Sequence, residues 1–300
     1  MDLTVTACRP GNLERLLDLF DAEFVRGRGR TVPLRRRFPH ILRPEALDTL
    51  FTASSGDVLC GGAAVRKFVW KAGGRLWQGA MVGMVCTAPQ FRGRGVGSAL
   101  LRGLTVKLSK GSVDFAVLWT SKHRFYERLG WKAHLDLGQL GRIDFTEKPP
   151  AQPPLIPRGF GEVDLDRIES CRSQHCSSLV LRTALDYRAL PFPADSVEFF
   201  FWDRAPKAVG YAIVGRQGST GYLYELVSRT EDFHVFLSSF ASAYTTLFVN
   251  EHSSGLFYNW LRNRPLGTWD HQDQTLWFLL SREMSTVDLS AWHIPYIDRM

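Results

Sequence analysis

An apolar run, Met81 to Val85, meets Pro89; three glycines, Gly93, Gly95 and Gly97, then alternate with Arg94 and Val96 before a helical pattern begins. No other stretch of the 300 residues restricts the chain as tightly. A strand that enters a glycine-rich turn and opens a helix leaves backbone N–H groups unpaired and pointing outward. Those amides, with the positive end of the helix dipole, make a cradle for phosphate. Glycine suits the turn because a side chain would hold the phosphate away from the backbone.

A second pattern follows at a fixed distance. Phe115 to Thr120 is an unbroken apolar run that reads as a short buried strand. After it comes Ser121-Lys-His-Arg-Phe-Tyr-Glu-Arg-Leu-Gly-Trp131, which contains Phe-Tyr-x-x-x-Gly-aromatic as Phe125, Tyr126, Gly130 and Trp131. With Arg92, Gly95 and Gly97 as Arg-x-x-Gly-x-Gly, the two linked motifs resemble the GNAT superfamily of N-acetyltransferases over roughly residues 1–145. The segment Leu118 to Gly130 is also similar to the enhanced-intracellular-survival acetyltransferases, which carry tandem GNAT domains. The chain is too short for their third, sterol-carrier-like domain.

The resemblance implies an α/β (α+β) GNAT fold, a mixed twisted sheet flanked by helices, and direct transfer of an acyl group from acetyl-CoA to a primary amine. The pantetheine arm of the co-substrate would pair with the backbone of Val85, Cys86 and Thr87. Val85 is equally a core residue, and Cys86 equally a small buried hydrophobe. The pyrophosphate falls to Arg92, Gly93, Arg94, Gly95, Val96, Gly97 and Ser98, for which the bland alternative is a solvated arginine pair at a turn. Ser121 would hydrogen-bond the pantetheine or else cap a helix. Tyr126 is the expected general acid, because a phenol stays protonated at neutral pH and can donate to a thiolate; a half-buried core aromatic is its alternative. Relatives often place a glutamate on the strand before the loop, but here that strand reads Met81-Val-Gly-Met-Val85. A water relay, His123, Glu225 or the terminal carboxylate of Met300 could stand in for it.

Charge is uneven along the chain. Lys and Arg outnumber Asp and Glu by 24 to 13 in residues 1–150 and are outnumbered 13 to 17 in residues 151–300. A basic front half suits a polyanion, coenzyme A or nucleic acid. The arginines fall partly in the phosphate loop, and no recognition-helix or aromatic-platform pattern accompanies them, which argues against nucleic acid. The other alternative is a non-catalytic CoA-binding regulatory module. No apolar run approaches the roughly 20 residues that span a bilayer. The start of the chain lacks signal-peptide features, and five cysteines show no framework spacing, so cytoplasm is the expected location. Cys171 and Cys176 around His175 are a weak metal pattern, and no metal is expected. The oligomeric state is left open.

Periodicity suggests a strand at Leu3–Cys8, a helix at Asn12–Glu23 and a short helix at Pro44–Phe51. Strands follow at Val58–Cys60, Ala63–Trp70 and Trp77–Thr87, with turns at Gly61-Gly62 and Gly73-Gly74, then a helix at Gly95–Lys110. Between Arg26 and Arg37 lies an arginine-rich loop, either solvated surface or the lining for an acceptor that bears negative charge. Five prolines between 147 and 159 suggest a linker, giving domains at 1–146 and 160–300. The later elements, helices at Asp164–Ser178 and Glu231–Val249 and strands at Val197–Trp202, Ala208–Val214, Tyr222–Val227 and Thr275–Leu280, echo the first half. Ser228-Arg-Thr-Glu-Asp-Phe stands where its phosphate loop belongs, so this half is expected to be a degenerate GNAT-like domain, closing one wall of the acceptor site with Glu225.

Overall fold

A computed structural model describes residues 1–134, 138–145, 154–204, 207–252, 255–264, 267–271, 275–279, 294 and 296–299. It divides into two compact units, one built on Met1–Leu135 and the other on Asp136–Asp273.

The first unit opens with strand β1 (Thr4–Ala7) and helix α1 (Leu13–Phe24), whose Leu13, Leu16, Leu17 and Phe20 recur at helical spacing and are buried. A single turn, α2 (Leu34–Arg37), precedes the strands β2 (Leu50–Ser55), β3 (Val58–Ala72) and β4 (Arg75–Thr87). These pair antiparallel in sequence, and α3 (Val96–Ser109) carries the chain over to β5 (Phe115–Trp119), parallel to β4. Helix α4 (His123–Glu127) and strand β6 (Lys132–His134) complete the run. The α3 residues Val96, Leu100, Leu101, Leu104 and Leu108 pack on the sheet with Ala63, Val65, Ala80 and Leu118.

Two expectations change here. Pro44–Thr49 is a 3-10 segment broken at Ala46, and Leu50 onward is a strand rather than the end of a helix. Gly61-Gly62 is not a turn: β3 runs straight through it, and the glycines answer close packing instead. A Cβ on Gly61 would lie 2.7 Å from the Cys86 carbonyl oxygen, and one on Gly62 would lie 2.2 Å from Leu16 Cδ1. Gly73 and Gly74 do form the hairpin turn, both at positive φ.

The second unit begins with β7 (Gly138–Asp144), then α5 (Leu165–His175) and the short β8 (Leu179–Val180). β9 (Ser196–Arg204), β10 (Lys207–Gln217) and β11 (Thr220–Ser228) pair antiparallel in sequence. Helix α6 (Phe233–Ala243) crosses to β12 (Thr246–His252), parallel to β11, before α7 (Leu256–Leu261) and β13 (Thr268–His271). The expected long helix at Glu231–Val249 is therefore a helix and a strand. Tyr244 turns to extended backbone, and the aromatic and β-branched run after it favours a strand.

Strand orders expose a reciprocal exchange. The first sheet runs β1-β2-β3-β4-β5, then β14 (Thr275–Leu279), then β6. The second runs β9-β10-β11-β12-β7-β13. Each sheet thus has a run of antiparallel strands, four in the first and three in the second, then a parallel crossover and an antiparallel strand drawn from the other half of the sequence. Thr275–Leu279 belongs to the first sheet, and Gly138–Asp144 to the second. The unit boundary consequently falls at Leu135/Asp136, before the proline-rich stretch rather than within it. Residues 147–153 of the expected linker lie outside the described residues. Farther along that stretch, Leu155 N–H donates to Ser239 Oγ and Arg158 pairs with Phe199, all within the second unit. The arrangement is a mixed α/β fold of two sheets with helices. Among the described residues no helix is long and apolar enough to cross a membrane.

Candidate functional site

Strands β4 and β5 pair only from Gly79 to Met81 against Phe115 to Val117, then diverge. At the divergence β4 is bulged: Gly62 faces Cys86 and Ala64 faces Gly83, leaving Met84 and Val85 opposite one residue. Met84 takes φ +53, the one positive value at a non-glycine among the described residues. Such strain costs about 1–3 kcal/mol and persists only where packing imposes it. A bulge also turns backbone groups out of the ladder.

Into this divergence opens a cleft of about 490 Å³, within the first unit. Val85, Cys86 and Thr87 line it from β4. Arg92, Gly93, Gly95, Val96, Gly97 and Ser98 line it from the loop and the first turn of α3, and Tyr126 closes it from α4. Two residues singled out in the sequence are not brought in. Arg94 is exposed and does not line the cleft. Ser121 is exposed too and does not line the cleft; the residue that precedes α4 is Lys122, which makes no side-chain cap bond and whose amide donates to Thr120 Oγ1 at 2.9 Å.

The loop meets the requirements of a phosphate cradle. Gly93 and Gly95 stand at φ +74 and +80, a conformation open to glycine, and a Cβ on either would meet no protein atom within 4 Å. Each would project into open space instead. The first intrahelical bond of α3 runs from the Ala99 amide to the Gly95 carbonyl. The amides of Val96, Gly97 and Ser98 ahead of it have no backbone acceptor. An anion at this helix start meets those donors and the dipole together.

Across the cleft, the Phe-Tyr-x-x-x-Gly-aromatic spacing has a geometric cause. Gly130, at φ +88, ends α4 in the left-handed conformation, so the chain folds back and the Trp131 amide donates to the Tyr126 carbonyl at 3.2 Å. Trp131 and Phe125 then pack edge-on against the Tyr126 ring, at 6.2 and 5.0 Å. Burial pushes the Tyr126 phenol up to about 12, so it holds its proton at neutral pH. The Cys86 thiol is likewise pushed up to about 12, by burial first and despite the nearby Arg92 charge. An un-ionised thiol is no nucleophile, which leaves Cys86 its structural role.

Phe125 of the second motif lines the cleft as well, and sequence reasoning passed over Phe91, Lys122 and Glu23, which also line it. Among the described residues Glu23 is its one carboxylate, and Glu23 Oε2 accepts from Arg92 Nη2 at 2.5 Å. Helical position in α1 sets Glu23 apart from the other acids but does not name its partner. Glu14, Asp18 and Asp21 follow an i, i+4, i+7 spacing and share one face, whereas Glu23 lies about 200° round the helix from Asp21. The three on the shared face serve the arginine-rich loop: Glu14 pairs with Arg35 and Asp18 with Arg26, both at 2.8 Å, and Asp21 accepts from the Leu34 amide at 2.9 Å.

The stand-in bases fare differently. His123 does not line the cleft. Met300 lies outside the described residues. Glu225 sits in the second unit, where Arg182 grips it through two hydrogen bonds and Tyr211 donates to it, so it is not free to wall an acceptor site. Cys171 is buried in the core of that unit on α5.

The cleft thus lies between a splayed parallel strand pair, a glycine loop and helix start, and a buried phenol opposite. Residues 5–133 match the family described as acetyltransferase (GNAT) domain, a match that spans every residue lining the cleft. A search of curated proteins finds no match. Among solved structures, a GCN5-related N-acetyltransferase from Anabaena variabilis is 16% identical, with 93% of this chain and 73% of that one covered at a TM-score of 0.72. A conserved protein of unknown function from Enterococcus faecalis, described as a probable N-acyltransferase, is 18% identical over the same shares, with a TM-score of 0.73. Eis1 from Mycobacterium abscessus is 16% identical, with 95% and 75% covered and a TM-score of 0.64. At such identities the likeness is one of fold, and it spans both units.

Proposed function

We propose that the chain transfers an acyl group from acetyl-CoA to a primary amine of a small acceptor. The observation that carries this reading is the single cleft that joins the unpaired α3 amides, the diverging β4 and β5, and the buried Tyr126. The pyrophosphate lies on the amides of Val96, Gly97 and Ser98, and the pantetheine arm runs along Val85 to Thr87. The neutral amine, having lost a proton to water, attacks the thioester carbonyl carbon. A C–N bond forms and the nitrogen gives up its surplus proton to water, while the C–S bond breaks and the departing thiolate takes the proton of Tyr126. Tyr126 regains its proton from solvent.

Retention of a phenol in the cleft favours catalysis over a purely regulatory CoA-binding role. The second unit supports one cofactor site per chain, since Glu231 and Asp232 stand in the turn that opens α6, where they repel an anion. Its cytoplasmic location is part of the same proposal. Acetyl-CoA titration, followed by release of free thiol across a panel of primary amines, tests the reading. Saturable binding with amine-dependent thiol release is expected; tight binding with no release on any amine would favour the regulatory module.

A further inference from the structure

The cleft has more positive than negative side chains, Arg92 and Lys122 against Glu23. An amine acceptor is a cation at neutral pH, so the one group there able to recognise it by charge is the Glu23 carboxylate. That carboxylate is already engaged. Arg92 reaches the Thr87 carbonyl with Nε at 3.3 Å and Glu23 with Nη2 at 2.5 Å. Arg92 thus stands between the mouth of the phosphate cradle and the acidic end of α1.

We propose that Glu23 binds the ammonium group of the acceptor, and that it becomes available only when the pyrophosphate of the co-substrate draws Arg92 away. This rests on the acyl-CoA reading above and adds to it the order of events. A diphosphate seated on the α3 amides offers a guanidinium several anionic oxygens and bidentate geometry, which a single carboxylate does not match. Once Arg92 turns to it, Glu23 is left as an unpaired anion in a partly enclosed cleft, and a cation is the group that restores neutrality. In the free protein the same ion pair blocks the amine and lightly opposes the cofactor. The arginines between 26 and 37 do not compete for this role, because none of the six lines the cleft, and Arg26, Arg30 and Arg35 are taken up by Asp18, the Phe24 carbonyl and Glu14. The acceptor class is therefore a small cationic amine rather than an acceptor that bears negative charge.

The exchange couples the two ligands, and coupling is reciprocal. The experiment uses the full chain, with coenzyme A as one probe and spermidine as the other, each titrated calorimetrically alone and at saturation of its counterpart. Coenzyme A should tighten spermidine binding and spermidine should tighten coenzyme A by the same factor. In Glu23→Gln that factor should fall to one. Coenzyme A alone should bind this variant about 2–5-fold more tightly, the range open to a partly exposed ion pair. In an Arg92→Ala background the Glu23→Gln change should leave coenzyme A affinity unaltered, since its effect passes through Arg92. Unchanged melting curves establish that each variant is folded. Spermidine binding that ignores coenzyme A, or weaker coenzyme A binding by Glu23→Gln, overturns the exchange and leaves the acyl-CoA reading standing. Failure of the wild-type protein to bind coenzyme A overturns both.

Discussion

Arg182 and Glu225 meet through two hydrogen bonds of 2.6 and 2.8 Å, two residues beyond the last β11–β12 pair, Leu223 with Val249. Asp298 takes two more bonds from the same guanidinium, at 2.8 and 2.6 Å, and the Tyr211 hydroxyl donates to Glu225. Where the first sheet diverges into an open cleft, the second diverges onto buried, mutually satisfied charge. Burial alone would raise the Glu225 carboxyl, but the Arg182 charge outweighs it and holds the group below its ordinary range.

Removing the arginine strands two buried carboxylates, so Arg182→Ala is expected to destabilise the protein by about 3–5 kcal/mol. Arg182→Lys keeps the charge but loses the fork, and should fall between the variant and the wild type. Urea unfolding checks both. A loss below about 1 kcal/mol would mean that water reaches the site and the cluster is not a filled core.

Glu251 on β12 carries the opposite shift. Burial first, and the Glu225 charge second, push its carboxyl up to about 8. Between an unfolded value near 4.5 and this folded value, the native state holds a proton that the unfolded chain has released. Stability attached to this group is then full below about 4.5 and falls as the pH rises toward 8. Glu251→Gln should flatten that decline and raise the melting temperature at pH 8 more than at pH 5. Equal changes at the two pH values would contradict the assignment.

The cleft was legible because its parts are local. A glycine at φ +80 before a helix, and a glycine that folds Trp131 back onto Tyr126, act within a few residues of themselves. What the sequence concealed was set by distant neighbours. Gly61-Gly62 reads as a turn until Leu16 and the Cys86 carbonyl are known to lie against it. Thr246–His252 merges with the helix before it until its partner strands appear. Glu23 reads as one more charge on a solvated helix, and only the fold brings Arg92 to it. The exchange of β7 and β14 was beyond reach, since an apolar strand carries no mark of which sheet will take it.

Gly95 stands at positive φ immediately before α3. Gly95→Asp both strains φ +80 and sets a carboxylate at the site proposed for the pyrophosphate. It should abolish stabilisation by acetyl-CoA in a thermal shift assay while costing the unliganded protein only about 1–3 kcal/mol. Undiminished stabilisation by the ligand would sink the site assignment.

Tyr126→Phe removes one hydroxyl and keeps the packing with Phe125 and Trp131. Cofactor affinity should be unchanged and kcat should drop about 10²-fold, at the low end for loss of an acid catalyst. Because burial holds the phenol near 12, the wild-type rate should show no loss of this acid between pH 7 and 10. An unchanged kcat in the variant would mean that solvent protonates the thiolate.

The exchanged strands make the two halves of the sequence interdependent for folding. A fragment ending near residue 150 retains the whole cleft-lining set yet lacks β14, which pairs with β5 on one side and β6 on the other. Without it the inner edge of β5 is left with unpaired backbone donors and acceptors, and β6 has no partner in the sheet order. The complementary fragment lacks β7, which joins β12 to β13 in the same way. Neither fragment, expressed alone and cut within residues 146–153, should give a cooperative melt. Expressed together they should associate, because each supplies the strand the other sheet is missing, and acetyl-CoA should stabilise the pair as it does the intact chain. A first-half fragment that melts cooperatively and is stabilised by acetyl-CoA by itself would show that β14 is dispensable to the sheet.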